Sequence, residues 1–221
     1  MNKNPGALAR TICMSQLVAE DGTVTPVTVL QVSSYVIGTR TQDKDGYSAI
    51  VLGIDEQKEN ALSKPLAGQF KKAGVTPKAT LREFRCEPEA LASVEAGKEI
   101  DLAEIFAEGQ HVDVTSVSRG RGFTGVMRRY NFGGAGGSHG AHEYKRHGGS
   151  IGTNMTPGRV LPGRKMPGQH GNKQVSVLNQ RVAKILPEKN LVMLRGAVPG
   201  ARGALVEIRG AVKKKNGGKP A

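Results

Sequence analysis

The chain has few cysteines and no long apolar run, and both absences exclude classes of protein. Its 221 residues include two cysteines, Cys13 and Cys86, which are far apart and form no CxxC pair. The sequence therefore predicts neither a disulfide framework nor a cysteine zinc site. The longest apolar stretch, about residues 49–54, is far shorter than the roughly 20 residues that cross a bilayer. We expect no transmembrane segment and no membrane partner.

The sequence also lacks the motifs that many enzymes carry. The first twenty residues hold no apolar stretch followed by a cleavage site, which argues against a secretory signal. No GxxxxGK[ST] phosphate-binding loop occurs. Glu143 has no carboxylate partner, and Ser138 beside His139 lacks an orienting acid. We predict no catalytic residue, no cofactor and no small-molecule substrate.

Positive charge is abundant, and it is concentrated in one segment. The chain has 32 Lys and Arg against 19 Asp and Glu, a net charge of +13, which favours polyanionic partners. Residues 119–172 hold nine of these cations, four of the five histidines, 15 of the 30 glycines and a single acid, Glu143. The rest of the chain has the mixed charge of an ordinary surface. The sequence therefore predicts an anion-binding segment at 119–172.

The same segment is built to avoid regular structure. Three Pro-Gly pairs follow one another at a five-residue spacing, beginning at Pro157, Pro162 and Pro167, which prevents a long helix or strand. The segment has too few aliphatic residues to offset a backbone ordering cost of about 1–2 kcal/mol per residue. We expect it to be mobile when free and ordered by a bound partner.

On either side, the sequence predicts a mainly β fold. Short runs of β-branched residues, some alternating apolar and polar, are typical of strands with one buried face. Seven such strands with tight turns favour a small barrel or a sandwich. The predicted strands are Pro26–Val32, Tyr35–Thr41, Ser48–Ile54, Val112–Val117, Gln174–Leu186, Leu191–Arg195 and Leu205–Val212.

The predicted domain organisation has four parts. Residues 1–118 form the first part of the barrel, with a short mixed α/β insertion at about residues 56–107 that contains helical segments near 64–72 and 87–95. Residues 119–173 form a long irregular loop, and residues 174–212 complete the barrel. Residues 213–221 are predicted to be a disordered basic tail.

Two local patterns suggest small ligands, but their context favours another interpretation. Residues 120–125 match GxGxxG after a predicted strand, yet more glycines follow where a dinucleotide site needs an amphipathic helix. His139, His142 and His147 could gather a metal ion, but no Cys or carboxylate cluster accompanies them. We interpret the glycines as sites of close backbone approach to a polyanion and the histidines as phosphate or base contacts, and we predict no metal.

The pairing of arginine with aromatic residues favours RNA. Guanidinium groups pair with phosphates, while aromatic and guanidinium planes stack on unpaired bases. The alternative is a solvated basic loop in which Phe123 and Phe132 pack into the barrel rim. The side chains predicted to bind RNA are Arg119, Arg121, Arg128, Arg129, Tyr130, Phe132, His139, His142, Lys145, Arg146, His147, Arg159, Arg164, Lys165, His170 and Lys173. The glycines predicted to let the backbone approach RNA are Gly120, Gly122, Gly125, Gly152, Gly158, Gly163 and Gly168.

Several longer runs resemble one known family. They are VDVTSVSRGRGFTG at 112–125, RRYNF at 128–132, GGAGGSHG at 133–140, GGSIGTNMTPGRVLPGRKMPGQHGN at 148–172 and NLVMLRGAVPGARG at 190–203. The earlier EDGTVTPVTV, DGY and KPLAGQFKKAGV also fit, so about four-fifths of the chain is covered. These runs resemble the bacterial-type ribosomal protein L-three family of the large subunit.

The resemblance implies a fold and a non-catalytic function. It implies a six-stranded closed β-barrel of the translation-protein type with a long Gly/Arg-rich extension. The expected partners are large-subunit rRNA and neighbouring ribosomal proteins, with a contribution to early subunit assembly. Residues 138–152 would reach towards the peptidyl-transferase centre, and residues 157–172 would return from it. The expected location is the cytoplasmic ribosome rather than an organellar one, and the alternative function is a free histone-like nucleic-acid-binding protein.

The chain departs from the family pattern at three positions. Cys13 replaces a glycine of the opening motif, which leaves open where the first strand of this chain begins. Tyr130 replaces a common tryptophan and offers a smaller stacking surface. Met155 stands where some members carry a methylated glutamine, so that modification cannot occur at this position.

Overall fold

The protein is described by a computed structural model that covers residues 6–92 and 94–214. Most of the predicted basic tail, residues 215–221, lies outside the described residues. The chain divides into two units. The barrel unit runs up to Val117 and resumes at Gln174, and the second, called here the 118–173 unit, comprises Ser118–Lys173. Among the described residues, the helices are too short or too polar to span a bilayer.

Strands dominate the described residues, which confirms the mainly β prediction. The strands are β1 (Ala7–Val18), β2 (Val24–Val32), β3 (Tyr35–Arg40), β4 (Ala49–Glu56), β5 (Lys78–Arg85), β6 (His111–Val117), β7 (Phe123–Thr124), β8 (Gly168–Gln169), β9 (Gln174–Leu186), β10 (Leu191–Arg195) and β11 (Leu205–Gly210). The α-helices are α1 (Gln42–Asp45), α2 (Lys64–Ala73), α3 (Pro88–Ala92), α4 (Leu102–Ile105) and α5 (Val126–Tyr130). Single 3₁₀ turns occur at Glu59–Ala61, His142–Arg146 and Pro187–Lys189.

Six strands close a barrel in the order β1-β11-β6-β9-β10-β2, and every neighbouring pair is antiparallel. The alternation of buried and partly exposed side chains along β6 shows why this sequence forms a barrel strand. Val112, Val114 and Ser116 are buried, while Asp113 and Thr115 between them are partly exposed. A period of two places alternate side chains on opposite faces of a strand, so the valines line the barrel core.

The insertion begins earlier in the chain than predicted. Strands β3 and β4, which the sequence analysis assigned to the barrel, instead pair with β5 in a separate three-stranded antiparallel sheet. The predicted bounds of 56–107 are therefore wrong at the start. Periodicity identifies a half-buried strand but does not identify its partner, which is why the two strands were assigned to the wrong sheet.

Barrel and insertion share one apolar core within the barrel unit. Phe84 and Leu52 of the second sheet belong to the same buried cluster as the barrel valines. Ser34 is fully buried; its hydroxyl accepts a hydrogen bond from Leu8 N (2.8 Å) and donates one to Leu8 O (2.7 Å). Cys86 is also buried, and burial raises the pKa of its thiol, which suits an unreactive core residue.

Candidate nucleic-acid interface

The 118–173 unit begins and ends in an antiparallel ribbon. Ser118 N donates to Lys173 O (2.8 Å), and Arg121 N donates to His170 O (2.9 Å). Further along, His170 N donates to Gly122 O (2.9 Å), and β7 then pairs with β8. The ribbon thus holds predicted RNA-binding residues from both ends of the segment close together.

The cations of the ribbon are accessible, whereas its backbone is tightly packed. Arg119, Arg121 and Lys173 are exposed, and His170 is partly buried. Gly171 has a φ of +72°, and a Cβ added there would overlap the carbonyl oxygen of Arg119. The ribbon therefore requires glycine at position 171, a residue that the sequence analysis did not single out.

A second group of predicted residues surrounds α5. The Nη1 atom of Arg129 donates to Met166 O at 2.6 Å, which joins the helix to the returning chain. The guanidinium of Arg129 and the ammonium of Lys165 lie 5.0 and 5.7 Å from the ring centroid of Tyr130, within the range of cation–π attraction. Phe132 is near, with its ring centroid 6.5 Å from that of Tyr130. Arg129 and Tyr130 therefore stabilise this part of the unit in addition to any RNA contact.

Packing fixes the position of this second group. Val126 at the start of α5 is buried, and Gly148 lies close enough that an added Cβ would be 3.3 Å from its side chain. An added Cβ at Gly168 would lie 2.6 Å from Nη1 of Arg129. Arg128, next to Arg129 in the last turn, is exposed. The helix thus points one arginine into a protein contact and leaves its neighbour accessible.

A third group lies on the 3₁₀ turn at His142–Arg146. Lys145 and Arg146 are exposed, and Ala135 N donates to Lys145 O at 3.2 Å. The rings of Tyr144 and His147 are 5.1 Å apart and tilted by 51°. Within residues 6–92 and 94–214, no three His, Cys, Asp or Glu side chains are grouped so that they could hold a metal ion.

The remaining predicted residues lie on an exposed loop between residues 150 and 164, except for His139, which is exposed in the stretch before the 3₁₀ turn. Arg164 donates to the carbonyl oxygen of Ser150, and the hydroxyl of Ser150 donates to Gly152 O at 2.9 Å. Arg159 is exposed. Gly158 and Gly163 adopt positive φ values of 69° and 80°. The structure therefore distributes the predicted cations over several separate points of one unit.

The GxGxxG match does not form a dinucleotide site. The two residues before its last glycine, Phe123 and Thr124, form the two-residue strand β7, which is antiparallel to β8. The helix that follows, α5, is only five residues long. A dinucleotide fingerprint needs a parallel βαβ unit and a longer helix whose N-terminus faces the pyrophosphate. Gly120, Gly122 and Gly125 instead belong to the ribbon and the turn before α5.

The arrangement suits neutralisation of phosphates at several places. Ten Lys and Arg share the 118–173 unit with a single acid, Glu143, and most of these cations are exposed. Cationic side chains that contact phosphates release counterions and fix a protein on its nucleic acid. Phe123 was not among the predicted RNA-binding residues, and its exposure of 81% is a signal that only the structure provides.

Comparison with known proteins gives the same family as the sequence motifs. A family model described as ribosomal protein L3 matches residues 89–190, which include the whole 118–173 unit. The large ribosomal subunit protein uL3 of Sorangium cellulosum is 55% identical over 217 residues, or 98% of this chain and 94% of that protein. The uL3 proteins of Myxococcus xanthus and Thermosipho africanus are 45% and 47% identical, over 94% and 92% of this chain and 93% and 97% of those proteins. With such identity along nearly its full length, the chain belongs to the ribosomal protein L3 family.

Proposed function

We propose that this chain is a structural constituent of the large ribosomal subunit and that it binds large-subunit rRNA mainly through the 118–173 unit. Its family comprises structural proteins rather than enzymes. The relatives named above are large ribosomal subunit proteins, and they match this chain nearly end to end. The observation that carries the RNA-binding proposal is the exposure of many cations in a unit with one acid.

The two units would have different roles in the assembled particle. The closed barrel, which we propose to be of the translation-protein type, has a shared apolar core and would fold before RNA arrives. The 118–173 unit has little apolar burial of its own; of its described side chains, Val126 and Thr124 are the buried ones. Contacts with phosphates would supply the remaining ordering free energy.

The proposal includes the position and timing of binding. Residues 138–152 would extend towards the peptidyl-transferase centre without taking part in its chemistry, and residues 157–172 would return from it. An element that neutralises phosphates of several RNA helices would help to bring them together early in subunit assembly. The protein would then be located in cytoplasmic ribosomes, next to other large-subunit proteins.

A competition experiment with the full chain tests the proposal. Labelled large-subunit rRNA is bound to the protein at physiological salt and displaced with unlabelled large-subunit rRNA, small-subunit rRNA or duplex DNA of equal nucleotide content. We expect large-subunit rRNA to compete best, because a fixed arrangement of cations and stacking residues matches one folded RNA. Equal competition by duplex DNA would refute the proposal and would support the histone-like alternative.

A further inference from the structure

The five phenylalanines of the chain differ strongly in exposure. Phe70, Phe84 and Phe106 are at most 2% exposed, and Phe132 is partly buried. Phe123, in contrast, is 81% exposed. Among the described residues, its ring takes part in none of the ring–ring or cation–ring contacts of the chain. The packing of the 118–173 unit therefore does not account for this side chain.

The backbone around Phe123 is fixed although its ring is free. Phe123 lies opposite Gln169 in the β7–β8 pair. The hydroxyl of the next residue, buried Thr124, is 3.2 Å from the carbonyl oxygens of both Arg121 and Gly122, to which it donates. The ring is thus presented from an ordered ribbon, which lowers the entropy cost of placing it against a ligand.

The surroundings of the ring are open and positively charged. A Cβ added at Gly122 or at Gly125 would meet nothing within 4 Å, so the backbone on each side of β7 has open space beside it. Arg119 and Arg121 precede the ring by four and two residues, and both are exposed. The only acid of the unit, Glu143, is twenty residues further along the chain.

We propose that Phe123 stacks on an unpaired nucleobase of large-subunit rRNA while Arg119 and Arg121 pair with the adjoining phosphates. This inference rests on the proposed function and adds a specific binding site to it. A nucleotide satisfies both parts of the surface, because its base offers a flat apolar face and its phosphates pair with guanidinium groups. An apolar protein partner would instead have to bury the ring beside two arginines that it leaves unpaired, which is unfavourable.

Substitutions of Phe123 in the full chain test the proposal, with extracted large-subunit rRNA as the probe. Loss of one stacked base corresponds to about 5- to 150-fold weaker binding. We expect this loss in Phe123→Ala and in Phe123→Leu, which keeps apolar bulk without a flat ring, and recovery in Phe123→Tyr. The salt dependence of binding should stay unchanged, because no phosphate contact is removed. Leu161→Ala is the control, since Leu161 is an exposed apolar residue of the same unit without a ring.

The outcomes separate this proposal from the proposed function. If the unaltered chain prefers large-subunit rRNA but Phe123→Ala or Phe123→Leu binds equally well, the stacking site is refuted and the proposed function stands. If the unaltered chain shows no preference, the proposed function itself fails. As a second measurement, short-wave ultraviolet light should crosslink RNA to the tryptic peptide of residues 122–128. Crosslinks confined to other peptides of the chain would also refute the stacking site.

Discussion

Replacing exposed cations of the 118–173 unit by glutamine should change how its RNA binding responds to salt. The variant keeps Arg129 and Arg164, because their guanidinium groups donate hydrogen bonds to backbone carbonyls within the unit. Its six substituted residues are all exposed: Arg119, Arg121, Arg128, Lys145, Arg146 and Arg159. A control variant removes six exposed lysines of the barrel unit and has the same net charge. Its substituted residues are Lys44, Lys58, Lys71, Lys72, Lys184 and Lys189.

The size of the effect follows from counterion release. Each lost phosphate contact makes the slope of log affinity against log salt concentration less steep by about 0.7 to 0.9. If all six cations contact phosphate, the slope of the first variant should be less steep by about 4 to 5. Between 50 and 200 mM salt, the unaltered chain should then lose roughly 10³-fold more affinity than this variant. The slope of the control should differ from that of the unaltered chain by at most about 0.7 to 0.9, the contribution of one phosphate contact.

The assay is equilibrium binding of labelled large-subunit rRNA to each full-length variant over this salt range. Circular dichroism checks that the barrel unit is folded in all three proteins. Equal loss of slope in both variants would mean that net charge alone determines binding. An unchanged slope in the first variant would mean that the barrel unit carries the phosphate contacts, and either result would refute the account.

Three further predictions concern stability and mobility. Ser34→Ala should lower the free energy of unfolding by about 1–3 kcal/mol in urea denaturation, because it removes a hydroxyl that bonds both Leu8 N and Leu8 O; an unchanged midpoint contradicts this. Gly171→Ala should accelerate hydrogen exchange of the ribbon amides far more than the control Gly163→Ala. Gly163 also has a positive φ, but a Cβ added there would meet nothing within 4 Å. Equal effects of the two substitutions would argue against backbone overlap at Gly171. In the free protein, limited proteolysis should begin within residues 133–149, where the chain is largely exposed, whereas first cleavage in the barrel strands would contradict an RNA-ordered segment.

Local pattern was sufficient to predict several strands and helices but not their partners. Strands β9 and β10 have the predicted bounds. The predicted helical segment at 64–72 is one residue shorter than α2, and the one at 87–95 contains α3. Strands β1 and β5 were not among the predicted strands. The β5 sequence, KATLREFR, is mostly polar, and its apolar Phe84 is buried only because a neighbouring sheet and barrel cover it. Such burial depends on tertiary contacts that periodicity does not encode.

In the candidate site, too, some features could be predicted from the sequence and others depend on tertiary contacts. Its cations and glycines could be found from composition, because charge and glycine content are properties of the sequence itself. The roles of individual residues could not be predicted in this way, because they depend on contacts between residues far apart in the sequence. Arg129 bonds Met166, and Gly171 lies against the backbone of Arg119. Phe123 was not among the predicted RNA-binding residues, and the alternative interpretation packed it into the barrel rim. Its exposure of 81% depends on the tertiary structure and could not be predicted from local pattern.

The most direct test of the central claim is the sedimentation of the native protein in a lysate gradient after a high-salt wash. A chain whose 118–173 unit is enclosed by large-subunit rRNA in the assembled particle should still migrate with the large subunit, because enclosed charge contacts are screened by salt much less than exposed ones. Recovery of the protein in the free fractions, or together with DNA, would contradict the claim that it is a constituent of the large subunit.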